Sequence, residues 1–494
     1  MGLREQEEIK SRQDKFAIAK KLGEAYPAVF NKEYNIGELL AKAGDVKLPK
    51  LTDNIKFSGK ELQTAGRLIT VRPHGKLIFA HIQDQSGKMQ IAFTENSCEK
   101  KVWQLGNLLD IGDIIGVKGI LVKTKRGEVT LLCSEVELLA KAFKPMPEKW
   151  HGLKNIETRL RQRYLDLIAT PETRELFIKK SLFWQSVREF LTKDGFMEVD
   201  TPALEAVAGG ADANPFITHH DKLDQDFYLR ISLELPLKKL LVGGFEKVFE
   251  IGKVFRNEGI DTEHLQDYDM CEFYWAYADY NILMDFTQNM YQEIVKKITG
   301  GLKTTYQAKT IDWGGNWPKK DYFELIKEIS GVDLAGKTDI KELRKLLEKN
   351  KVRYEESMGT GRLIDLYWKK LVRPKVAGPL FVINHPVEVS PLAKRDAKNP
   401  ERVQRMQIIV AGSELGNGFS ELNDPTDQRA RFEEQAKLRE AGDSEAMMLD
   451  EDFITALEYG MPPAAGFGFS ERLFAFIMDK PVRETVLFPP MRNK

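Results

Sequence analysis

Apolar and polar positions alternate in short runs between Ile55 and Leu139, which predicts a small β-barrel. Five such runs recur at a spacing of about ten residues and are broken by Gly, Asp and Asn. A longer connection near Glu95 to Gly112 has room for a helix. Short strands at this spacing are typical of barrels that bind oligonucleotides. We therefore expect the first part of the chain to form such a barrel.

One face of the predicted barrel carries groups suited to unpaired bases. In the run KLIFAHIQD, Phe79 and His81 alternate onto the same face, and Gln90 lies on the next strand. An aromatic ring can stack on a base, and an amide can bond to its edge. The pattern leaves two alternatives open, because Phe79 would also fit in the barrel core.

A helix is predicted before the barrel, over residues 3–22 and ending at Gly23, because its apolar residues follow a near-helical spacing. Its basic residues would either contact RNA phosphate or, as we expect, form a solvated face. The apolar positions are Ile9, Phe16, Ile18 and Leu22, and the basic ones are Arg12, Lys15, Lys20 and Lys21.

Two apolar runs in the middle of the chain, EKVFEIGKVF and MCEFYWAY, bracket a polar loop and predict an antiparallel hairpin. Residues two apart share a face of a strand, so Arg256 would lie beside Glu258, and Glu272 beside Tyr274. A guanidinium, a carboxylate and an aromatic ring together suit a nucleotide. Taken alone, the hairpin would more simply carry solvated charges.

Two other positions suggest ligand chemistry. Glu234 stands among apolar residues, where a buried carboxylate needs a cation to offset the cost of its burial. Near the end of the chain, GFGFSERLF places a Gly-rich strand and turn before Arg472. That arrangement can bring backbone and a guanidinium against a phosphate or a base.

A Gly-rich strand is predicted in the stretch GSELGNGFSELND. Asn417, Phe419 and Glu421 share one face of it, while the alternating positions are Gly or Ser. Glu414 has the opposite parity and would join them only through a bulge at Gly416. One face thus offers an amide, a ring and a carboxylate, and the other permits close packing against backbone.

Length and composition limit the class of protein. With 494 residues, of which 42% are hydrophobic and 30% charged, two or three folded domains are expected. Basic and acidic residues number 74 each, so an RNA partner must be held by a local patch. Three widely spaced cysteines, no apolar signal segment and no apolar run of roughly 18 residues predict a cytoplasmic protein without membrane spans.

In their order along the chain, these segments resemble the class II lysyl-tRNA synthetases. The resemblance rests on FRNEG followed by a His and an aromatic residue, then MCEFYWAYADY, GNGFSELND, GFGFSERL and LFPPMR. It extends to HGLKNIETRLRQRYLDLI, PFITHH and VSPLAKR, and so covers nearly the whole chain. The HIGH and KMSKS signatures of the other synthetase class are absent.

The resemblance implies an α+β fold, with an N-terminal oligonucleotide-binding β-barrel and a class II catalytic domain built on an antiparallel sheet flanked by helices. The implied parts are an N-terminal helical extension (1–50), an anticodon-binding barrel (51–143), a linker (144–163) and the catalytic domain (164–494), with a helical insertion at about 321–360. The implied activity is the ATP-dependent conversion of L-lysine to lysyl-adenylate and its transfer to the 3′ end of tRNA(Lys), with Mg²⁺ as cofactor. The long helix after the linker and Pro202 match the first class II motif, which implies a homodimer.

The resemblance also implies roles for individual residues. Arg256 matches the arginine that holds the α-phosphate and the substrate carboxylate, and Arg472 matches the arginine across the adenine; both are candidate catalytic residues. The other implied ATP ligands are Glu258, His264 and Tyr268. The implied lysine ligands are Gly210, Glu234, Glu272, Tyr274, Asn417, Phe419 and Glu421. The implied anticodon contacts are Phe79, His81 and Gln90, and Glu414 matches a magnesium ligand.

Lysine suits this set because its ammonium must lose water to enter a pocket, and carboxylates such as Glu234 and Glu421 would replace that water. An aspartyl- or asparaginyl-type synthetase would need a cation or an amide there. The other alternative is a paralogue that attaches lysine to a protein. The barrel argues against it, because relatives of that kind look like isolated catalytic domains. An RNA-binding protein on a retired synthetase scaffold would be expected to have lost ATP ligands that are present here.

Two departures from the family pattern stand out. Gln407 occupies the position, seven residues before Glu414, where the family usually has a second metal-binding glutamate. A neutral amide is a weaker ligand, so the number of magnesium ions is open. The third motif also looks about one residue shorter than usual, which leaves its register open, although Arg472 is retained.

Overall fold

The computed structural model describes residues 3–23, 25–44, 47–52, 55–57, 59–146, 153, 155–259, 261, 263–336, 339–356, 358–443 and 445–492. The chain divides into two compact units, Met1–Lys154 and Asn155–Lys494. The predicted linker at 144–163 lies partly outside the described residues, at 147–152 and 154. No helix in the described ranges is long and apolar enough to cross a membrane.

The first unit is a closed five-stranded barrel with the strand order β1-β2-β3-β5-β4, as predicted. The predicted helix between the third and fourth strands is also present. Strand β2 shows why the barrel forms, because Ile78, Ala80 and Ile82 point into the core and alternate with half-exposed positions. The elements are α1 (Leu3–Leu22), α2 (Ile36–Gly44), β1 (Leu62–His74), β2 (Leu77–Gln83), β3 (Lys88–Thr94), α3 (Lys100–Leu108), β4 (Ile114–Lys123) and β5 (Val129–Ala140).

Helix α1 has the predicted bounds, but its faces differ from the prediction. Ile18 is 51% exposed, whereas Arg12 is buried. The Arg12 guanidinium donates to the carbonyls of Ile111 and Ala142 at 3.0 and 2.9 Å and is therefore neither solvated nor free to contact phosphate. The prediction for Arg12 was wrong because the helix packs through this guanidinium, a contact that apolar spacing cannot indicate.

The second unit is built on an eight-stranded sheet with the order β14-β15-β16-β17-β18-β11-β10-β6, antiparallel except at its two edges. Its strands are β6 (Met197–Glu198), β7 (Leu204–Glu205), β8 (Ile217–His220), β9 (Gln225–Leu229), β10 (Lys247–Phe255), β11 (Asp267–Ala276), β12 (Lys303–Tyr306), β13 (Lys309–Asp312), β14 (Lys319–Asp321), β15 (Leu380–Ile383), β16 (Arg405–Val410), β17 (Ser413–Ser420) and β18 (Ala464–Ser470).

Helices cover this sheet and fill the connections between its strands. They are α4 (Ile156–Arg161), α5 (Arg163–Ala169), α6 (Pro171–Lys193), α7 (Glu234–Val242), α8 (Tyr280–Thr299), α9 (Tyr322–Ser330), α10 (Ile340–Lys349), α11 (Thr360–Tyr367), α12 (Pro425–Glu440), α13 (Glu451–Glu458) and α14 (Arg472–Ile477). Helix α11 continues into a π-helical turn, Trp368–Val372. Such turns occur frequently at functional sites.

Strand alternation separates the core of this sheet from its polar face. On β11, Cys271 and Phe273 belong to a buried aromatic cluster, while Glu272 and Tyr274 face the other way, as the hairpin pattern predicts. Strand β10 ends at Phe255, so Arg256 lies in the loop and not on a strand face.

Strand β17 contains the bulge that the sequence requires. Opposite β16, Ile408 pairs with Gly416 but Ile409 pairs with Glu414, so Leu415 is the extra residue. The bulge therefore lies one residue before the predicted Gly416. It reverses the parity of Glu414 and brings this carboxylate to the same face as Asn417.

Candidate active site

A chamber of about 670 Å³ lies on the polar face of the sheet, and all predicted ligands of the second unit except Glu421 line it. Strand β11 supplies Tyr268, Glu272 and Tyr274, and the hairpin loop supplies Arg256, Glu258 and His264. The remaining predicted ligands in the lining are Gly210, Glu234, Gln407, Glu414, Asn417, Phe419 and Arg472. Residues far apart in sequence thus converge on one cavity.

Arg256 and Tyr268 form one wall of the chamber. The guanidinium carbon of Arg256 lies 5.7 Å from the centroid of the Tyr268 ring, and its Nε donates to the carbonyl of Ile231 at 3.3 Å. Burial raises the pKa of Tyr268, and the opposing effect of the nearby guanidiniums is smaller, so the phenol stays neutral. His264, also in the loop, is 2.8 Å from a carboxylate oxygen of Asp261.

Arg472, which also lines the chamber, is held through backbone carbonyls. Its Nε donates to the carbonyl of Glu263 at 3.2 Å, and its Nη1 donates to the carbonyl of Glu414 at 3.3 Å. Because carbonyls carry no full charge, the positive charge of Arg472 is left uncompensated at these contacts. Two guanidiniums, Arg256 and Arg472, are therefore available for an anionic ligand.

Glu272 lies deep in the chamber and accepts three hydrogen bonds. The donors are Ser232 Oγ at 2.7 Å, the Leu233 amide at 2.9 Å and the Tyr274 hydroxyl at 2.8 Å. Burial raises the pKa of Glu272, and these donors oppose the shift. The three donors fix the orientation of the carboxylate, which can then receive a cationic group without rearrangement.

Lys238, which the sequence prediction missed, lies between two of the predicted lysine ligands. It is fully buried, with its Nζ 2.5 Å from Glu234 Oε1 and also in ion-pair contact with Glu421. Burial alone would lower the pKa of Lys238, but the two carboxylates outweigh it and raise the pKa. Lys238 follows Glu234 by four residues on α7, a spacing that brings side chains together on a helix.

The two carboxylates have more charge than Lys238 can balance. Burial raises the pKa of Glu234 to about 7, although Lys238 opposes the shift. Burial likewise raises the pKa of Glu421 well above its usual range. Neither Glu421 oxygen has a directional hydrogen bond within the described part of the chain, so its contact with Lys238 is an ion pair with acceptor capacity to spare.

Two glycines create the space around these carboxylates. A Cβ on Gly466 would lie 2.3 Å from the Tyr274 ring and 2.4 Å from Glu421 Oε1. Gly210 has a φ of +84°, and a Cβ there would lie 2.9 Å from Ser232 Cβ. Any side chain at either position would push into the carboxylate end of the chamber.

Arg405, also absent from the sequence prediction, orients Asn417. Arg405 Nε donates to Asn417 Oδ1 at 2.8 Å, and Arg405 Nη1 donates to the carbonyl of Val389 at 2.7 Å. With its oxygen so engaged, the Asn417 amide presents its NH₂ group as the free donor. Asn417 is thus prepared to bind an oxygen of a ligand.

Of the two residues predicted to hold metal, one is a carboxylate, Glu414, and the other is a neutral amide, Gln407. Glu414 Oε2 lies 3.3 Å from Arg373 Nη1, and Gln407 Oε1 lies 3.1 Å from His385 Nε2. Burial lowers the pKa of His385 to about 3, so this neighbour is neutral. The described residues contain no group of three or more His, Cys, Asp or Glu placed to hold a metal. One carboxylate suffices only where ligand phosphates supply most of the coordination.

A basic segment lies next to Glu414 in the chamber lining. Lys369, Lys370 and Arg373 follow α11, and all three line the cavity. We refer to these three residues as the basic wall. In the sequence they belong to the run KKLVR, which follows the implied helical insertion at about 321–360, and no prediction was made for them from the sequence.

In the first unit, the predicted base-binding residues lie on the outer face of the barrel. Phe79 is half-buried against a small cluster that includes Leu51 and is outside the barrel core. His81 pairs with Gln90 across the strands, and both contact Glu128, at 3.1 and 2.9 Å. Glu128 therefore joins this face, a contact that only the fold reveals.

Comparisons with known proteins agree with this architecture. Residues 155–492 match the family described as tRNA synthetases class II (D, K and N), and residues 62–139 match the OB-fold nucleic acid binding domain. The chain is 46% identical over 490 residues to the lysine–tRNA ligase of Carboxydothermus hydrogenoformans, covering 98% of each protein. It is 41% identical over 491 residues to that of Oceanobacillus iheyensis, covering 99% of each.

Replacing Lys238 by Met is expected to destabilise the second unit by about 3–5 kcal/mol, because two buried carboxylates would lose their cation. Lys239→Met is the matched control, since its partner Asp452 is 84% exposed and such pairs contribute about 0–1 kcal/mol. Urea-induced unfolding of both variants measures the difference. Equal stability of the two variants would show that Lys238 does not hold the carboxylates.

Proposed function

Because this chain belongs to the lysine–tRNA ligases of the class II tRNA synthetase family, we propose how its chamber activates L-lysine with ATP and passes the lysyl group to the 3′ end of tRNA(Lys). The observation that carries the proposal is the excess of carboxylate at one end of the chamber beside two uncompensated guanidiniums. The carboxylates are complementary in charge to an ammonium, and the guanidiniums are complementary in charge to a triphosphate. Both substrates of lysine activation can thus be held in one cavity.

The lysine side chain points its ammonium towards Glu234 and towards Glu421, whose Oε1 lies 2.4 Å from the Cβ position of Gly466 in the chamber lining. Among the described residues, Lys238 is the cation in ion-pair contact with both carboxylates. When both are ionised, the three groups have a net charge of −1, which the substrate ammonium neutralises. A substrate without that charge would leave a buried carboxylate unpaired, which gives discrimination without editing. Phe419 borders the alkyl part of the pocket.

The other end of the amino acid is held next to the ATP site. Glu272 accepts from the α-amine, whose charge it offsets, and Gly210 leaves room for this group. The NH₂ of Asn417 and the guanidinium of Arg256 donate to the substrate carboxylate. Tyr274, by donating to Glu272, fixes the position of that carboxylate. The lysine carboxylate is then directed towards Arg256.

Activation is an in-line attack on the α-phosphorus of ATP. A carboxylate oxygen of lysine forms a bond to phosphorus while the bond to pyrophosphate breaks. Two anionic groups must approach each other, and Arg256 neutralises charge where they meet. Tyr268 stacks on the adenine, and Arg472 lies on its other side, while Glu258 and His264 complete the ATP site. No protein nucleophile is needed.

Transfer follows in the same chamber. A hydroxyl of the 3′ terminal ribose of tRNA attacks the carbonyl carbon of lysyl-adenylate, and AMP leaves with the bonding electrons. Magnesium accompanies ATP, and Glu414 is the carboxylate available to it. When bound, the ion supplies positive charge to the phosphates. Gln407 is at most a weak ligand.

The barrel face with Phe79, His81 and Gln90 is proposed to bind the anticodon, and residues 51–143 to form the anticodon-binding domain. Support comes from the half-exposed ring of Phe79 and from His81, which lies on the same face of the strand. Gln90, opposite His81, is buried, and its amide is bonded to Glu128 and Thr130. The enzyme is proposed to act in the cytoplasm, which its three free cysteines favour.

Glu421→Gln is expected to raise the KM for lysine by about 10- to 100-fold, because a hydrogen bond to a charged group is lost. The KM for ATP should change less than threefold in lysine-dependent ATP–pyrophosphate exchange. Glu434→Gln, the same change at an exposed position on α12, is the control. Equal increases in both constants would remove Glu421 from the ammonium site.

Phe79→Ala is expected to lower kcat/KM for tRNA(Lys) about tenfold or more, since stacking on a base contributes about 1–3 kcal/mol. Exchange of ATP and pyrophosphate, which needs no tRNA, should be unchanged. Phe79→Leu retains packing but removes the ring and should behave like Phe79→Ala. Full aminoacylation by Phe79→Leu would mean that Phe79 only packs.

A homodimer is proposed through α6 and the edge of the sheet at β6, near Pro202. Ile178, Met197 and Leu204 are 54%, 42% and 47% exposed there, and an unpaired edge strand favours association. Ile178→Asp should shift sedimentation velocity towards the monomer. Tyr459→Asp, at an aromatic side chain elsewhere that is 83% exposed, should not. A monomeric wild-type protein at micromolar concentration would contradict the proposal.

A further inference from the structure

The basic wall places positive charge in the chamber that its neighbours balance only in part. Lys369 Nζ lies 2.7 Å from Asp365 Oδ2, and Arg373 contacts Glu414. Lys370 has no carboxylate within 4 Å among the described residues. At least one full positive charge is therefore available to an anionic ligand.

The pairs that engage the other two residues are easily exchanged. The Lys369 side chain is 48% exposed, and an exposed ion pair contributes only about 0–1 kcal/mol. The Arg373–Glu414 contact, at 3.3 Å, is long for a charge-assisted hydrogen bond. A phosphate oxygen could replace either carboxylate as the partner at small cost.

The basic wall adjoins the ATP end of the chamber. Glu414 links the two sides, because its carboxylate contacts Arg373 and its carbonyl accepts from Arg472. On the proposed function, the triphosphate extends from Arg256 along this side. The wall then borders the two terminal phosphates, which leave as pyrophosphate.

The residues predicted to hold metal in the same region provide little negative charge to bind it. Of the two residues predicted to hold metal, Gln407 is a neutral amide whose oxygen lies 3.1 Å from His385 Nε2, so Glu414 is the one carboxylate of the pair. At these two positions a second magnesium ion would find no further carboxylate. Yet the terminal phosphates still need their charge neutralised before pyrophosphate can leave.

We propose that the basic wall, Lys369, Lys370 and Arg373, binds the β- and γ-phosphates of ATP and takes the place of a second protein-held divalent ion. The inference rests on the proposed function and deepens it. Lysine is a compact charge on a flexible stem, which suits it to follow phosphates that move apart during the reaction. The ligand class is a triphosphate or pyrophosphate.

Binding of ATP without divalent ions tests the charge assignment. By equilibrium dialysis in EDTA, wild-type enzyme should bind ATP, and Lys370→Ala should weaken this binding about 10- to 100-fold. Lys375→Ala is the matched control, because Lys375 is exposed on the same segment but does not line the chamber. Equal binding by Lys370→Ala and Lys375→Ala would overturn the inference, as would a wild type that binds ATP only with a divalent ion.

Counting bound Mn²⁺ by electron paramagnetic resonance tests the metal assignment. Wild-type enzyme saturated with ATP should hold one Mn²⁺, and Gln407→Glu, which restores a carboxylate, should hold two. Two ions in the wild type would overturn the inference.

Lysine binding separates this inference from the proposed function. In exchange assays with saturating ATP, Lys370→Ala should leave the KM for lysine within about twofold of wild type. A large rise would overturn the assignment of Lys370 to phosphate. The Glu421→Gln result addresses the lysine site alone, so either proposal can fail without the other.

Discussion

Three carboxylates, Glu234, Glu272 and Glu421, share one end of the chamber, and their repulsion must be countered before the site can exist. Glu272 is stabilised by neutral donors, whereas the other two depend on Lys238. Because this cation comes from the chain itself, the free enzyme keeps two buried carboxylates in place without substrate. On the proposed function, Lys238 neutralises one of the two negative charges, and the substrate ammonium neutralises the other. Lys238 and the neutral donors offset the cost of burying the carboxylates, and specificity arises from the one negative charge that they leave unbalanced.

At the end of the chamber proposed to bind ATP, by contrast, the protein does not balance the charge of the side chains that would bind the ligand. Arg256 and Arg472 are anchored by backbone carbonyls, so their charge is not consumed by the protein. On the proposed function, the two substrates meet at Arg256, between the two ends of the chamber, where one guanidinium can contact both anions. The sheet makes this possible because alternate residues of β11 pack into an aromatic core, which leaves the others in fixed positions facing the chamber.

Strand patterns were the most informative part of the sequence. The barrel, the hairpin and the shared face of Asn417 and Phe419 follow from alternation, and the bulge that Glu414 needs was misplaced by one residue only. Side chains that act through tertiary contacts could not be predicted in this way. Arg12 is buried by carbonyls about 100 and 130 residues away, and Arg405 reaches Asn417 on the neighbouring strand. Lys238 follows Glu234 by four residues, a spacing that brings two side chains together only in a helix. The sequence did not predict a helix there, so this signal could not be used.

The bulge at Leu415 also bears on how this protein can change during evolution. Strand faces alternate with a period of two, so the loss or gain of one residue in β17 would exchange the carboxylate of Glu414 for a core position. Insertions and deletions should therefore be excluded from this strand, while single substitutions in it can still adjust the chemistry. Gln407, on the neighbouring strand, fits that pattern. We therefore expect metal binding to vary within the family through substitution of side chains, while the backbone and the strand lengths stay constant.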